Sequence, residues 1–134
     1  MMNASAGSDG SEPGKTIMVV DDEPVIRETV LEILREEGFD AVGMSDGAAA
    51  LDWAQKVRPD VILSDVVMPG LNGIEMAIQI RELLPSTRII LFSGHGASTA
   101  ILEQARSKGY EFEIFAKPID PEVLLTKLRS VISD

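Results

Sequence analysis

Short apolar runs alternate with stretches of helical period five times along the chain, and this alternation restricts the architecture more than any single residue does. Thr16 to Val20 (TIMVV), Phe39 to Met44, Asp60 to Ser64 (DVILS), Arg88 to Phe92 (RIILF) and Glu111 to Ala116 read as strands. After the first strand, Pro24 opens a helix that Gly38 ends. Its period puts Val25, Ile26, Thr29, Val30, Ile33 and Leu34 on an inward face, and Arg27, Glu28, Glu32, Arg35 and Glu36 on a solvated one. A second helix, capped by Ser45 or Asp46, runs to Val57, with Trp53 core or half-buried beside Ala49, Ala50 and Val57. Asn72 caps a third from Gly73 to Leu84, stopped by Pro85. A weaker fourth covers Ala97 to Lys108. Asp120 and Pro121 open the last, with Val123, Leu124, Leu128, Val131 and Ile132 inward. Strict βα alternation with continuous apolar strands predicts an α/β fold, a doubly wound five-stranded parallel sheet with five helices on its two faces.

With 134 residues the chain has the size of one domain, expected over residues 15–134. Residues 1–14, rich in Gly and Ser, are expected to be a flexible tail, and they hold no apolar stretch of a signal peptide. The absence of cysteine removes disulfides and thiolate chemistry and fits a cytoplasmic location. A formal net charge of -10 argues against direct nucleic-acid binding, while leaving open an acidic site for a divalent cation. No apolar run has the length of a membrane span.

Open parallel sheets place their sites beyond the carboxyl ends of the strands. There the first strand leads into Asp21 and Asp22, the third into Asp65, the fourth into Ser93, and the fifth into Lys117 and Pro118. Three converging carboxylates need a counter-charge, which a hard cation with oxygen ligands supplies, Mg²⁺ above all where phosphate oxygens complete its shell. Lysine adds a point positive charge and serine a donor. Nucleophile, positioning and neutralisation together are the requirements of phosphoryl transfer to a carboxylate.

The runs VVDDEP (Val19 to Pro24), SDVVMPGLNG (Ser64 to Gly73), FSGHG (Phe92 to Gly96) and AKP (Ala116 to Pro118), in this order and spacing, resemble those of response-regulator receiver domains over about residues 15 to 134. The resemblance implies the flavodoxin-like strand order 2-1-3-4-5 and a two-component signalling role. Asp65 would be the phosphoacceptor, charged by a histidine kinase or phosphotransfer protein. Asp22, Asp65 and the Val67 carbonyl would ligate Mg²⁺, with Asp21 acting through water or as a weaker ligand. Lys117 and Ser93 would contact the phosphoryl group, and the Lys117–Pro118 bond would be cis. An output protein or second receiver would dock on the fourth helix, fifth strand and fifth helix. The chain departs from the family pattern at Ile114, where an aromatic residue is usual, which leaves two expectations: Phe112 or the Tyr110 loop takes over its reporting role, or Ile114 simply packs and phosphorylation acts through Ser93 and the loop alone.

Single residues also admit plainer readings. An Asp at a strand end is commonly a cap, His95 is expected to be an exposed loop residue, the methionines to be packing, and Gly70 and Gly73 to serve turns. A pseudo-receiver that never takes phosphate would lack Asp65, Lys117 or the acidic pair, and all are present. A phosphatase with an aspartate nucleophile would need a D-x-D arrangement after the first strand and room for a cap domain. The chain offers neither.

Overall fold

Apolar strands without an alternating polar face must be covered on both sides, and the connections between them supply that cover. The protein is represented by a computed structural model that describes residues 15–94, 99–117 and 119–133. The elements are β1 (Thr16–Val20), α1 (Pro24–Glu36), β2 (Asp40–Met44), α2 (Gly47–Val57), β3 (Val61–Asp65), α3 (Gly73–Leu83), β4 (Arg88–Ser93), α4 (Thr99–Ser107), β5 (Glu113–Ala116) and α5 (Pro121–Ser133). All strand pairs are parallel, in the order β2-β1-β3-β4-β5. The tail of residues 1–14, His95 and Pro118, with the cis bond expected there, lie outside the described residues.

The alternation of side chains along the central strands divides the core in two. Ile17, Val19, Val61, Leu63, Ile90 and Phe92 face α1 and α5, where they pack with Val30, Leu31, Leu34, Leu124 and Leu128. Met18, Val20 and Ile62 face the other way, against Ala50 and Ala54 of α2 and Met76 and Ile80 of α3. A third cluster, Val66, Ile74, Leu91 and Ala105, continues that side toward α4 and gathers Tyr110, Phe112 and Ile114.

Caps set the helix starts. Asp46 accepts from the Ala49 amide at 2.7 Å, which decides between the two cap candidates of α2. Asn72 and Glu75 form a reciprocal capping box on α3, at 2.8 and 3.0 Å. Several expected faces are corrected. Val25 is 77% exposed and Thr29 exposed, while Leu31 is buried, so α1 is rotated relative to the face expected from its period. Val123 and Trp53 are also exposed, on flanks of α5 and α2 that turn away from the sheet. At those helices the small or apolar residues nearest the strands, Ala50, Ala54, Leu124 and Leu128, take the core positions.

Candidate functional site

The carboxyl ends of β1 and β3 lie side by side, since Val20 pairs with Ser64. The residues that follow therefore leave the sheet together. Asp21 and Asp65 are buried, at 2% and 6% exposure, and Asp22 is exposed. One carboxylate oxygen from each of the three lies within 4.8 Å of the others. Lys117 follows β5, where its amide donates to the Ser93 carbonyl at 2.9 Å. Its Nζ stands 3.1 Å from Asp21 Oδ2, 3.0 Å from Asp65 Oδ2 and 3.4 Å from Glu23 Oε1. Four of the expected site residues are thus in mutual reach. Ser93, buried at the end of β4, joins the same edge one residue beyond the Phe92 that pairs with Asp65. Val67 lies two residues past Asp65 and turns its amide toward Asp65 Oδ1 at 3.4 Å.

The loop after β3 is seated by close backbone contact. A Cβ on Gly73 would collide with the Asp65 backbone oxygen, so only glycine lets α3 begin against the end of β3. The Gly73 amide donates to the Val66 carbonyl at 2.8 Å, and Ser64 Oγ donates to the Asp65 carbonyl at 2.9 Å. Gly70 turns the same loop with φ +75°.

Burial pushes the Asp65 carboxyl above its ordinary pKa, against the opposing pull of the Lys117 hydrogen bond and charge, and the neighbouring Asp21 adds to the rise. For Lys117 burial acts to lower the pKa, but the hydrogen bonds and charges of Asp65 and Asp21 outweigh it and hold the ammonium above its ordinary value. The resulting centre has a buried carboxylate of enhanced basicity, a firmly protonated lysine and a carboxylate open to solvent. Its all-oxygen donor set, with Asp22 unpaired among the described residues, fits a hard divalent cation.

Two participants escaped the sequence reading. Glu23, next to the acidic pair, is the N-cap residue of α1 but makes no side-chain cap, and reaches Lys117 instead. Arg27 was assigned to the solvated face of α1. Its side chain is only 18% exposed, and Nη1 donates to the Asp21 carbonyl at 2.8 Å. The available signal was helix geometry: side chains slant toward the helix N-terminus, so a long cation in the second turn reaches back to the preceding loop.

Comparison with known proteins agrees with this geometry. The model of the response regulator receiver domain family matches residues 17–129. The chemotaxis protein CheY of Thermotoga maritima is 27% identical over 119 residues, which cover 88% of this chain and 98% of CheY. The probable transcriptional regulatory protein TcrX of Mycobacterium tuberculosis is 31% identical over 87% of this chain, which spans about half (49%) of TcrX. The structure of Vibrio cholerae CheY4 superposes with a TM-score of 0.74 at 32% identity, covering 88% of this chain and 98% of that one. The chain belongs to the response regulator receiver domain family of two-component systems.

Proposed function

We propose that the domain takes a phosphoryl group from a histidine kinase or phosphotransfer protein onto Asp65 and thereby switches its binding to an output partner. The observation that carries this reading is the Lys117 ammonium held between the carboxylates of Asp21 and Asp65, beside the open carboxylate of Asp22. Asp65 is the nucleophile. Its carboxylate oxygen bonds to phosphorus as the phosphorus–nitrogen bond of a phosphohistidine donor breaks. The raised basicity of Asp65 favours attack, while the Lys117 hydrogen bond and charge favour its ionised form. Lys117 then exchanges a carboxylate for a phosphoryl oxygen, and Ser93 donates its hydroxyl to another. Mg²⁺, held by Asp22, Asp65 and the Val67 carbonyl with Asp21 behind it, would supply positive charge for the transferring oxygens. A valine side chain at 67, half-exposed beside the acceptor, offers no hydrogen bond to orient attacking water, which favours a long-lived acyl phosphate.

The fourth helix, fifth strand and fifth helix form the surface assigned to an output protein or second receiver, in a cytoplasmic setting and without direct contact to nucleic acid. No described helix is long and apolar enough to cross a membrane.

The test is incubation with acetyl phosphate and Mg²⁺ followed by intact-mass measurement. Wild type gains one base-labile phosphoryl group and Asp65→Asn gains none. Equal labelling of the variant moves the acceptor elsewhere, and no labelling of wild type by acetyl phosphate or a kinase panel makes the domain a pseudo-receiver.

A further inference from the structure

Asp21 has all four of its polar groups engaged. Its amide donates to the Met44 carbonyl at 3.1 Å, Oδ1 accepts from the Glu23 amide at 2.9 Å, Oδ2 accepts from Lys117, and its carbonyl accepts from Arg27 Nη1 at 2.8 Å. Asp22, the next residue, is exposed and has no side-chain partner among the described residues. The direction in which Asp22 leaves the chain is therefore set by the plane of the Asp21–Asp22 peptide, and the group that holds this plane from outside the loop is the Arg27 guanidinium.

The path of Arg27 to that carbonyl is built into the fold. Its stem lies against β2 at Gly43, where a Cβ would stand 3.2 Å from Arg27 Cδ and 2.8 Å from Leu31 Cδ1. A side chain at position 43 would lift Arg27 off the sheet edge. The guanidinium then reaches the loop from the second turn of α1, with only a loose approach of Nε to Glu28 at 3.8 Å on its outer side.

We propose that Arg27 is a positioning residue for the cation site: by fixing the Asp21–Asp22 peptide it holds the Asp22 carboxylate toward Asp21 and Asp65 in advance of cation binding. This rests on the reading of the acidic cluster as a Mg²⁺ site. Two effects of Arg27 on that site have opposite signs, which makes the role measurable. As a positive charge near three carboxylates, Arg27 opposes cation binding. As the clamp on the peptide, it favours binding by removing conformations in which Asp22 points away. A hydrogen bond from a charged donor to a part-buried carbonyl is directional and little screened, whereas Arg27 reaches the exposed Asp22 carboxylate through water, and the buried Asp21 and Asp65 carboxylates are already neutralised by Lys117. Positioning outweighs repulsion.

The experiment is Mg²⁺ titration by calorimetry on the full chain, with metal-free thermal unfolding alongside. Arg27→Met keeps the stem over Gly43 and removes both the charge and the bond. The expected result is a Kd raised roughly three- to ten-fold, partial rescue in Arg27→Lys, and no change in Glu28→Gln. An unchanged or lower Kd in Arg27→Met, with wild type binding normally, overturns the proposal while leaving the Mg²⁺ reading intact. Absence of Mg²⁺ binding by wild type overturns both. If Arg27→Met does not fold, the wild-type guanidinium decides by nitrogen-proton NMR. Resolved, slowly rotating Nη signals that shift with the same Mg²⁺ midpoint as the Asp22 amide support the clamp. A freely rotating, unresponsive guanidinium overturns it.

Discussion

Asp65 and Lys117 are held in contact, yet removing either one should move stability in opposite directions. The folded state holds the Asp65 proton more tightly than the unfolded chain does, because burial disfavours the carboxylate. Stability therefore falls as pH rises from the ordinary carboxyl value of 3.8 through the folded value, and the penalty is complete above that folded value. Asp65→Asn should raise the metal-free melting temperature at pH 7, by roughly 3–5 °C for each kcal/mol relieved, and the gain should vanish below pH 3.8. Lys117→Met leaves Asp21 and Asp65 facing each other without their ammonium, and should lower stability at pH 7 by about 3 kcal/mol. Lys117 has its pKa raised by its carboxylate partners, so its contribution is present throughout the neutral range and is lost only in strong alkali. Calorimetric scans of both variants in chelator, across pH 3–8, measure the two signs. A melting temperature for Asp65→Asn below that of wild type at pH 7 would show that Lys117 pairing, not burial, dominates the carboxylate.

At the scale of elements, two glycines in one loop are required for different reasons. Gly73→Ala forces a methyl into the Asp65 backbone oxygen, where no flexible side chain can yield, and should cost about 3 kcal/mol in denaturant unfolding. Gly70→Ala meets no atom within 4 Å but must adopt φ +75°, for about 1–2 kcal/mol. Across the sheet, Phe112 stacks parallel to Tyr110 at 6.3 Å and lies under the Arg81 guanidinium at 4.9 Å, while the Tyr110 hydroxyl donates to Glu82 at 2.6 Å. These contacts tie the end of α3 to the segment before β5, on the face that Ile114 shares. An Arg81–Phe112 double-mutant cycle should give a coupling of about 0.5–1 kcal/mol. With beryllofluoride bound, amide protection in β5 should change in wild type and change less in Phe112→Ala; identical changes in both would remove the aromatic pair from the switch. The strand ends were legible in the sequence to within one residue, because a central strand buried on both sides is an apolar run whatever surrounds it. The start of β5 was not. Glu111 and Phe112 continue the strand-like pattern, but pairing begins only at Glu113, opposite Ile90. Helix faces were legible at their centres only. Val25 and Val123 sit in the first turns of α1 and α5 on flanks that turn away from the sheet, so residues that the 3.6 period alone would place inward stay exposed. The acidic residues and the lysine were legible because each stands at, or within two residues of, the end of a strand, whereas Arg27 depended on the turn of a helix and on a glycine in another strand.

Over the whole molecule the two ends of the sheet divide the labour between stability and chemistry, and β3 with its leading residue carries an aspartate at each. Asp65 closes the carboxyl end, where its side chain meets Lys117 and the open Asp22. Asp60, immediately before the strand, sits at the opposite end, where every interaction is a lock between strands. Its Oδ2 accepts from the Thr16 amide at 2.8 Å, its own amide donates to the Thr16 carbonyl at 2.9 Å, and its carbonyl accepts from the Arg88 amide at 3.0 Å. Neighbouring Thr87 adds a buried hydroxyl bond to the Pro59 carbonyl at 2.9 Å. Asp60 thus joins the starts of β1, β3 and β4 and has no route to the carboxyl edge except through the strand itself. Asp60→Ala keeps the backbone bonds and leaves the Thr16 amide without its acceptor, a loss of about 1–2 kcal/mol for a charge-assisted bond to a part-buried donor. Because the register of β3 is held by β4 along its whole length and by β1 from Val61 to Ser64, that loss should not reach Asp65. The expected outcome is a lower denaturation midpoint with unchanged yield and rate of phosphoryl uptake from acetyl phosphate. The same measurement on Asp65→Asn should give the reverse, a higher midpoint without chelated metal and no uptake. A slowed uptake in Asp60→Ala at temperatures where it is fully folded would mean that the two ends of the sheet are mechanically coupled through β3.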